Sequence, residues 1–230
     1  MRDRSTAHVS VRRSAVISID VALCTPRRRH LEMLFVRIGG HHRDRWALPH
    51  AVYALGSKLD ESAARAALQV LGRRPAWLQQ IGAFSDATRH PAAASLSVAY
   101  VGVTPDGFAR PGDEARWFPA GRLPALAPRH RAIAGAALAA LRDRMDHAPI
   151  AYRLVPSLFT LSALQEIYEL LLGRQLHKAS FRRALQASYL VEPTDEWRSE
   201  GRGRPAQLFR YVPRRRAPFR RGLRLDLVDG

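Results

Sequence analysis

The 230-residue chain has a single cysteine, few acidic residues and no long apolar run. Because Cys24 stands alone, the sequence excludes an intrachain disulfide and a CxxC zinc site. No apolar stretch reaches the roughly 18 residues of a membrane-spanning helix, and the N-terminus lacks the apolar run of a signal peptide. We therefore expect a cytoplasmic protein without a membrane partner.

Basic residues far outnumber acidic ones. The chain carries 37 Lys and Arg against 20 Asp and Glu, which gives a formal charge of +17 and a pI of about 11.4. Such a charge favours a polyanionic partner. Apolar residues make up 47% of the chain, which is enough to form the cores of one large or two modest domains.

Residues 160–211 have the pattern of a helix-turn-helix followed by a basic hairpin. A first helix is predicted from Thr160, which can cap its start, to Gly173, which suits its end. Its apolar residues recur at helical spacing and share one face: Leu161, Leu164, Ile167, Tyr168, Leu171 and Leu172. A second helix is predicted over residues 177–188, and a Gly- and Arg-rich stretch then leads to a strand at residues 208–211.

The second helix and the stretch after it are strongly basic. Residues 174–221 hold 13 Lys and Arg against 4 Asp and Glu. In a winged helix-turn-helix the second helix enters the major groove and the wing lies along the backbone, so we predict double-stranded DNA as a partner. The predicted DNA contacts are Lys178, Ser180, Arg182, Arg183, Gln186, Arg202 and Arg204.

The first 148 residues mix strands and helices. Strands are predicted at residues 14–25, 31–38, 77–84, 95–103 and 113–118, and helices at residues 59–72 and 129–145. The expected organisation is a basic arm at 1–13, one domain at 14–148, the winged helix at 149–213 and a basic tail at 214–230. The tail is either an arm that clamps DNA or a solvated extension.

Several motifs carry a family resemblance. The element order, with Trp46-x-Leu-Pro49 and Phe84-Ser-Asp86, resembles the Nudix fold over residues 14–147. Together with residues 159–169, Phe181-Arg-Arg183 and residues 203–211, the whole chain resembles the NrtR family of Nudix-related transcriptional regulators. The resemblance implies an α+β fold, with an N-terminal Nudix-like α/β/α sandwich and a C-terminal winged helix-turn-helix.

The same resemblance implies a function. Members of this family are homodimeric repressors that usually control genes of NAD biosynthesis and sense ADP-ribose or a related NAD metabolite. One winged helix reads only a few base pairs, so we expect a two-fold dimer on a near-palindromic operator. An alternative within the same architecture is a regulator of sugar catabolism that senses a sugar.

The catalytic box of Nudix hydrolases is degenerate in this chain. With Arg65 and Gly72 in register, the first glycine of the box becomes Ala51 and its first glutamate becomes Ser57. The three glutamates that hold Mg²⁺ on one helix face are replaced by Ala66, Gln69 and Val70. We therefore predict no catalytic residue, no metal ligand and no required cofactor, against the alternative of a hydrolase acting on nucleoside diphosphate derivatives.

A ligand pocket can persist without catalysis because binding and chemistry use different residues. The loop that begins at Gly82 resembles the family's loop beside the ADP-ribose pocket. The predicted effector-binding residues are Arg37, Phe84, Asp86, Arg89 and His90. Because residues 90–93 read His-Pro-Ala-Ala where the family commonly has Asp-Pro-Arg-Gly, NAD⁺, NADH and sugar phosphates are expected candidates beside ADP-ribose. We assign His41, His42 and His50 to a loop without a metal, since no acidic cluster accompanies them in the sequence.

Overall fold

The computed structural model describes residues 15–27, 29–39, 45–86, 90–106, 112, 114–145, 148–199 and 204–213. Several predicted features lie outside these residues: the basic arm, the basic tail, His41, His42, Arg89 and Arg202. None of the helices in the described part of the chain combines the length and the apolar composition needed to span a bilayer.

The N-terminal part is built on seven strands and two helices. The strands are β1 (Ile17–Arg27), β2 (His30–Arg37), β3 (Trp46–Ala47), β4 (His50–Val52), β5 (Trp77–Phe84), β6 (Leu96–Val103) and β7 (Ala115–Pro119). The helices are α1 (Leu59–Leu71) and α2 (Pro128–Arg144). The sequence predicted the long strands and both helices to within two residues at most ends. It also indicated a short extended piece at residues 46–49, which contains β3, but it did not predict β4.

A mixed sheet forms the middle layer. Strand β1 pairs antiparallel with β2 and β4 and parallel with β6, while β5 pairs antiparallel with β6. Side chains alternate along β1, so Val21 and Leu23 belong to the core under α1 and Ala22 and Cys24 to the core under α2. Helices therefore cover both faces, which confirms the predicted α/β/α sandwich.

The C-terminal part is a winged helix. A 3₁₀ turn at Ala151–Arg153 precedes β8 (Leu158–Phe159), α3 (Leu161–Leu172), α4 (Lys178–Ser188), β9 (Val191–Arg198) and β10 (Ala206–Tyr211). The predicted caps are confirmed: the Thr160 hydroxyl accepts the Ala163 N–H at 3.1 Å, and Gly173 ends α3 with a φ of 71°. Strand β9 was not predicted, because its acidic and proline residues hide it in the sequence.

The winged helix packs directly on the sandwich. Helix α3 contacts α2, β1 and β2. One continuous apolar core includes Phe35 and Leu141 of the sandwich together with Leu164, Tyr168 and Phe181 of the winged helix. Helix α4 thus packs on the α2 side of the sheet through this core.

Candidate nucleic-acid interface and sensor site

Helix α4 separates an apolar face from a basic one. Phe181 and Leu185 are fully buried and Ala184 nearly so. The outward face exposes Lys178, Arg182, Arg183 and Gln186, as the helical spacing predicted. Four of the predicted DNA contacts therefore lie together on one solvent-facing surface, which we call the recognition face.

Ser180 does not belong to this face, and its predicted DNA contact is wrong. Ser180 is only 4% exposed. The Ser180 hydroxyl lies 3.2 Å from Nδ1 of His177 and 3.5 Å from Nη2 of Arg183. Ser180 thus supports the start of α4 and holds the Arg183 side chain.

The wing consists of β9 and β10. Arg204 is exposed at the start of β10, as a backbone contact requires. Within the wing, Arg210 donates to Glu192 at 3.0 Å, so this arginine serves the hairpin. Trp197 is 56% exposed near the end of β9, although sequence reasoning assigned it no role. In the sequence, Trp197 follows two acidic residues, Asp195 and Glu196, a polar context that is typical of an exposed position.

The predicted effector residues occupy different environments. Arg37 is exposed and its guanidinium lies 5.7 Å from the ring centroid of Trp46, which is a cation–π contact. Phe84 is half-buried at the end of β5. Asp86 accepts from Nε of Arg129 at 2.9 Å. Phe84 and Asp86 lie where the loop after β5 begins, whereas Arg37 lies at the end of β2, paired with β3. Contact of these three residues with a ligand stays a prediction.

Arg129 anchors that loop to the start of α2. Its side chain is 1% exposed and donates to the Asp86 carboxylate, the Asp86 carbonyl at 2.9 Å and the Ala94 carbonyl at 2.8 Å. Each of the three guanidinium nitrogens therefore donates to an acceptor, as a buried cation requires. We call residues 84–94 with their clamp on α2 the sensor loop.

His90 is not an exposed phosphate contact, and that prediction is wrong. Its side chain is fully buried and its Nε2 donates to Oδ1 of Asp20 at 2.9 Å. His130 of α2 donates from Nε2 to the same oxygen at 3.1 Å, and the Ser18 hydroxyl donates to Oδ2 at 2.7 Å. We call Asp20, His90 and His130 the Asp20 cluster. It fastens the sensor loop and α2 to β1.

Backbone amides fix the protons of both histidines in the Asp20 cluster. The Ala92 N–H donates to Nδ1 of His90 at 3.0 Å, and the Leu48 N–H donates to Nδ1 of His130 at 3.2 Å. Each ring therefore carries its proton on Nε2 and donates it to Asp20. The two Nε2 atoms lie only 3.0 Å apart because they share one acceptor oxygen.

The Asp20 cluster brings together three side chains with potential metal-ligand atoms, the sole such group among the described residues. A metal ion would need the lone pairs of both Nε2 atoms, whereas metal-bound histidines usually donate a proton from the other ring nitrogen. Here the other nitrogens already accept backbone N–H groups. The geometry thus fits a buried hydrogen-bond centre rather than a metal site.

Electrostatics agree with that assignment. Burial alone would raise the pKa of Asp20, but hydrogen bonds from His130 and His90 hold it well below its usual range. His50, opposite Asp20 on β4, lies with its ring centroid 5.2 Å from that of His90, and burial lowers the pKa of His50. His50 thus lies in a strand next to a carboxylate, not in the loop that the sequence predicted.

Comparison with known proteins bears on the winged helix first. A model of the NrtR DNA-binding winged helix domain matches residues 151–211. A relative in Acinetobacter baylyi, the ADPR responsive transcriptional repressor NtrR, is 29% identical over 208 residues, which cover 86% of this chain and 83% of the relative. The chain is thus similar to the NrtR DNA-binding domain over residues 151–211 and to this NtrR repressor over most of its length.

Two solved structures share the fold of this chain over most of its length. The NrtR of Shewanella oneidensis, crystallised with a 27mer DNA, matches with a TM-score of 0.72 at 24% identity, over 86% of this chain and 94% of its own. A MutT/nudix family protein of Enterococcus faecalis matches with a TM-score of 0.68 at 20% identity, over 86% and 88% of the two chains.

Proposed function

We propose that this protein is a transcriptional repressor that binds DNA through the recognition face of α4 and responds to ADP-ribose or a related NAD metabolite. The observation that carries the proposal is α4 itself, with a buried apolar side and four exposed polar or basic residues beside the β9–β10 wing. The Acinetobacter relative is named as an ADPR responsive repressor, which supports both halves of the proposal.

The proposal also covers the domain roles, the oligomeric state and the regulated genes. Residues 14–148 form the sensor domain and residues 149–213 the DNA-binding domain. Two chains form a two-fold dimer on a near-palindromic operator, with half-sites separated by whole turns of about 10 base pairs. The regulated genes belong to NAD biosynthesis, and the protein acts in the cytoplasm without a required cofactor.

The contacts of the sensor loop suggest how a ligand changes DNA affinity. The loop is clamped to α2 through Asp86 and Arg129 and through Asp20, which accepts hydrogen bonds from both His90 and His130. Helix α2 in turn contacts α3 of the winged helix. A ligand that contacts Arg37, Phe84, Asp86 or Arg89 would bias the position of the loop, then of α2, and so the spacing of two winged helices in a dimer.

Operator DNA titrated with and without ADP-ribose is expected to give two different affinities. Linkage requires the effector to bind free protein and DNA complex with affinities that differ by the same factor, typically about 1–3 kcal/mol. Fluorescence anisotropy measures the DNA affinity and calorimetry measures the ligand affinity. Light scattering is expected to give twice the mass of the 25.7 kDa chain, and titration two chains per operator.

NAD⁺, NADH and a sugar phosphate serve as comparison ligands in the same titrations. A compound that binds without moving the DNA affinity is not the effector. If none of the four compounds changes the DNA affinity, the sensor assignment fails and the N-terminal domain is a scaffold. A sugar phosphate acting alone would instead favour a regulator of sugar catabolism.

We also propose that the protein does not hydrolyse ADP-ribose. At the positions of the metal-binding glutamates, Ala66 is buried, Val70 is half-buried and Gln69 offers a single neutral oxygen. Incubation with ADP-ribose and Mg²⁺ or Mn²⁺ is therefore expected to release no AMP above the level of a protein-free control. AMP release that copurifies with the protein through successive columns would contradict this expectation.

A further inference from the structure

A cleft of about 550 Å³ lies between the sandwich and the winged helix. One side is formed by the turn between β1 and β2 and by the loop after β7, the other by α3 and the turn that follows it. Leu138 and Arg142 of α2 form the back. His130 of the Asp20 cluster precedes Leu138 by eight residues on α2, so the cleft begins about 12 Å further along the helix. The cleft is thus separate from the sensor loop.

Arginines from both domains converge on this cleft. Arg29, Arg122 and Arg142 come from the sandwich, and Arg174 comes from the turn between α3 and α4. The Arg142 guanidinium reaches that turn, since its Nη2 would lie 3.3 Å from a Cβ atom built on Gly173. A bound anion would therefore meet cations from both sides of the domain boundary.

Two glutamates of α3 also line the cleft, and one of them is already used. Glu169 accepts the Leu176 N–H and the Gln165 amide, both at 2.9 Å, and so stabilises the turn after α3. Glu166 is exposed at the cleft and its carboxylate can accept from hydroxyl groups of a ligand. The four arginines exceed the two acidic groups, so the cleft has a net positive charge.

The remaining wall is apolar. Leu31, Pro119, Leu138 and Leu170 line it. A bare inorganic anion would leave this wall uncovered, whereas an organic anion would cover it with its ring or carbon skeleton. A volume of about 550 Å³ is within the usual range for small-molecule sites. Size, charge and lining together fit an organic phosphate of mononucleotide size with free hydroxyl groups.

We propose that this cleft binds such an organic phosphate, with its phosphate on the arginines, its hydroxyl groups on Glu166 and its apolar body on Leu138 and Leu170. The site is distinct from the sensor loop and goes beyond the proposed response to ADP-ribose. Because its ligand would touch both domains, occupancy would favour one orientation of the winged helix over others.

The test uses the full chain and AMP as the probe. Calorimetry is expected to detect AMP binding at millimolar concentration or below, with adenosine and inorganic phosphate binding at least about tenfold more weakly, since each offers half of the contacts. Arg142→Ala and Arg122→Ala are expected to weaken AMP binding at least about tenfold. Arg122 lies in the exposed loop after β7, so its variant leaves the domain packing intact.

Arg131→Ala is the matched control, since Arg131 is an exposed arginine of α2 outside the cleft lining. This control is expected to bind AMP like the wild type, and both cleft variants are expected to bind ADP-ribose like the wild type. No AMP binding, or equal AMP binding by all variants, would overturn the proposal. Loss of ADP-ribose binding in the cleft variants would also overturn it, since the arginines would then belong to the effector site. So would weaker DNA binding by the cleft variants without any AMP binding, since the arginines would then contact DNA.

Discussion

Replacing Arg182 by alanine is expected to weaken operator binding by about 5- to 150-fold, which corresponds to about 1–3 kcal/mol for a lost base-edge contact. The residue lies in the middle of the recognition face, between Lys178 and Gln186. Its neighbours Phe181 and Leu185 are buried, so truncation of the exposed side chain leaves the helix packing intact. Anisotropy titrations with operator DNA measure the change.

Salt dependence separates the two kinds of contact on α4. A phosphate contact releases counterions, so its removal lowers the slope of log affinity against log salt by about 0.9. Lys178→Ala is expected to show that reduced slope, while an Arg182 contact to a base edge would lower affinity mainly for the specific operator. Arg65→Ala is the control, because Arg65 is exposed on α1 at the opposite face of the sheet. Unchanged affinity of Arg182→Ala would remove Arg182 from the interface.

Asp20→Asn is expected to lower the free energy of unfolding by about 3 kcal/mol or more. The substitution keeps the size of the side chain but removes its charge and replaces one of its two acceptor oxygens by an NH2 donor. That NH2 group would face either the Ser18 hydroxyl or the Nε2–H groups of His90 and His130, so at least one buried donor loses its acceptor. Each buried donor left without an acceptor costs about 1–3 kcal/mol. For a chain of this length the melting temperature is expected to fall by about 6–12 °C.

Asp106→Asn is the matched control. Asp106 pairs with Arg27 at 3.7 Å and its side chain is 55% exposed, so its loss is expected to change stability by less than about 1 kcal/mol.

The melting temperatures of both variants are best measured near pH 8. There His50, whose pKa burial lowers from 6.5, is neutral in folded and unfolded chains. The pKa of Asp20 is lowered on folding, so its stabilising charge is also fully present at pH 8. Equal melting temperatures for both variants would show that the Asp20 cluster contributes little to stability.

Local patterns in the sequence predicted the elements that depend on interactions between residues close together in the chain. Helix α3 followed from its apolar spacing and its two caps, and both caps are as predicted. The outward face of α4 followed from helical geometry alone. Ser180 was misassigned because the sequence shows which residues are polar, whereas only the three-dimensional packing decides that this residue is buried.

The Asp20 cluster could not be predicted, because its members are separated by 70 and 110 positions in the chain. Their meeting depends on β1 lying beside β4 and β6 and on the direction in which α2 crosses the sheet. One signal was present: Asp20 is the single charged residue in an otherwise apolar or small strand segment, residues 14–26. A lone carboxylate in a buried strand needs partners, and their identity is settled only by the three-dimensional fold.

The shared core of the sandwich and the winged helix limits how this chain can be recombined. Because α3 packs on α2, β1 and β2, the winged helix has a surface that is complementary to this sandwich. A different domain would not match that surface. A chimera that joined this N-terminal domain to an unrelated DNA-binding domain would lose the complementary packing around Leu141 and Leu164. New target specificity is therefore more accessible through substitutions on the outward side of α4 than through exchange of whole domains.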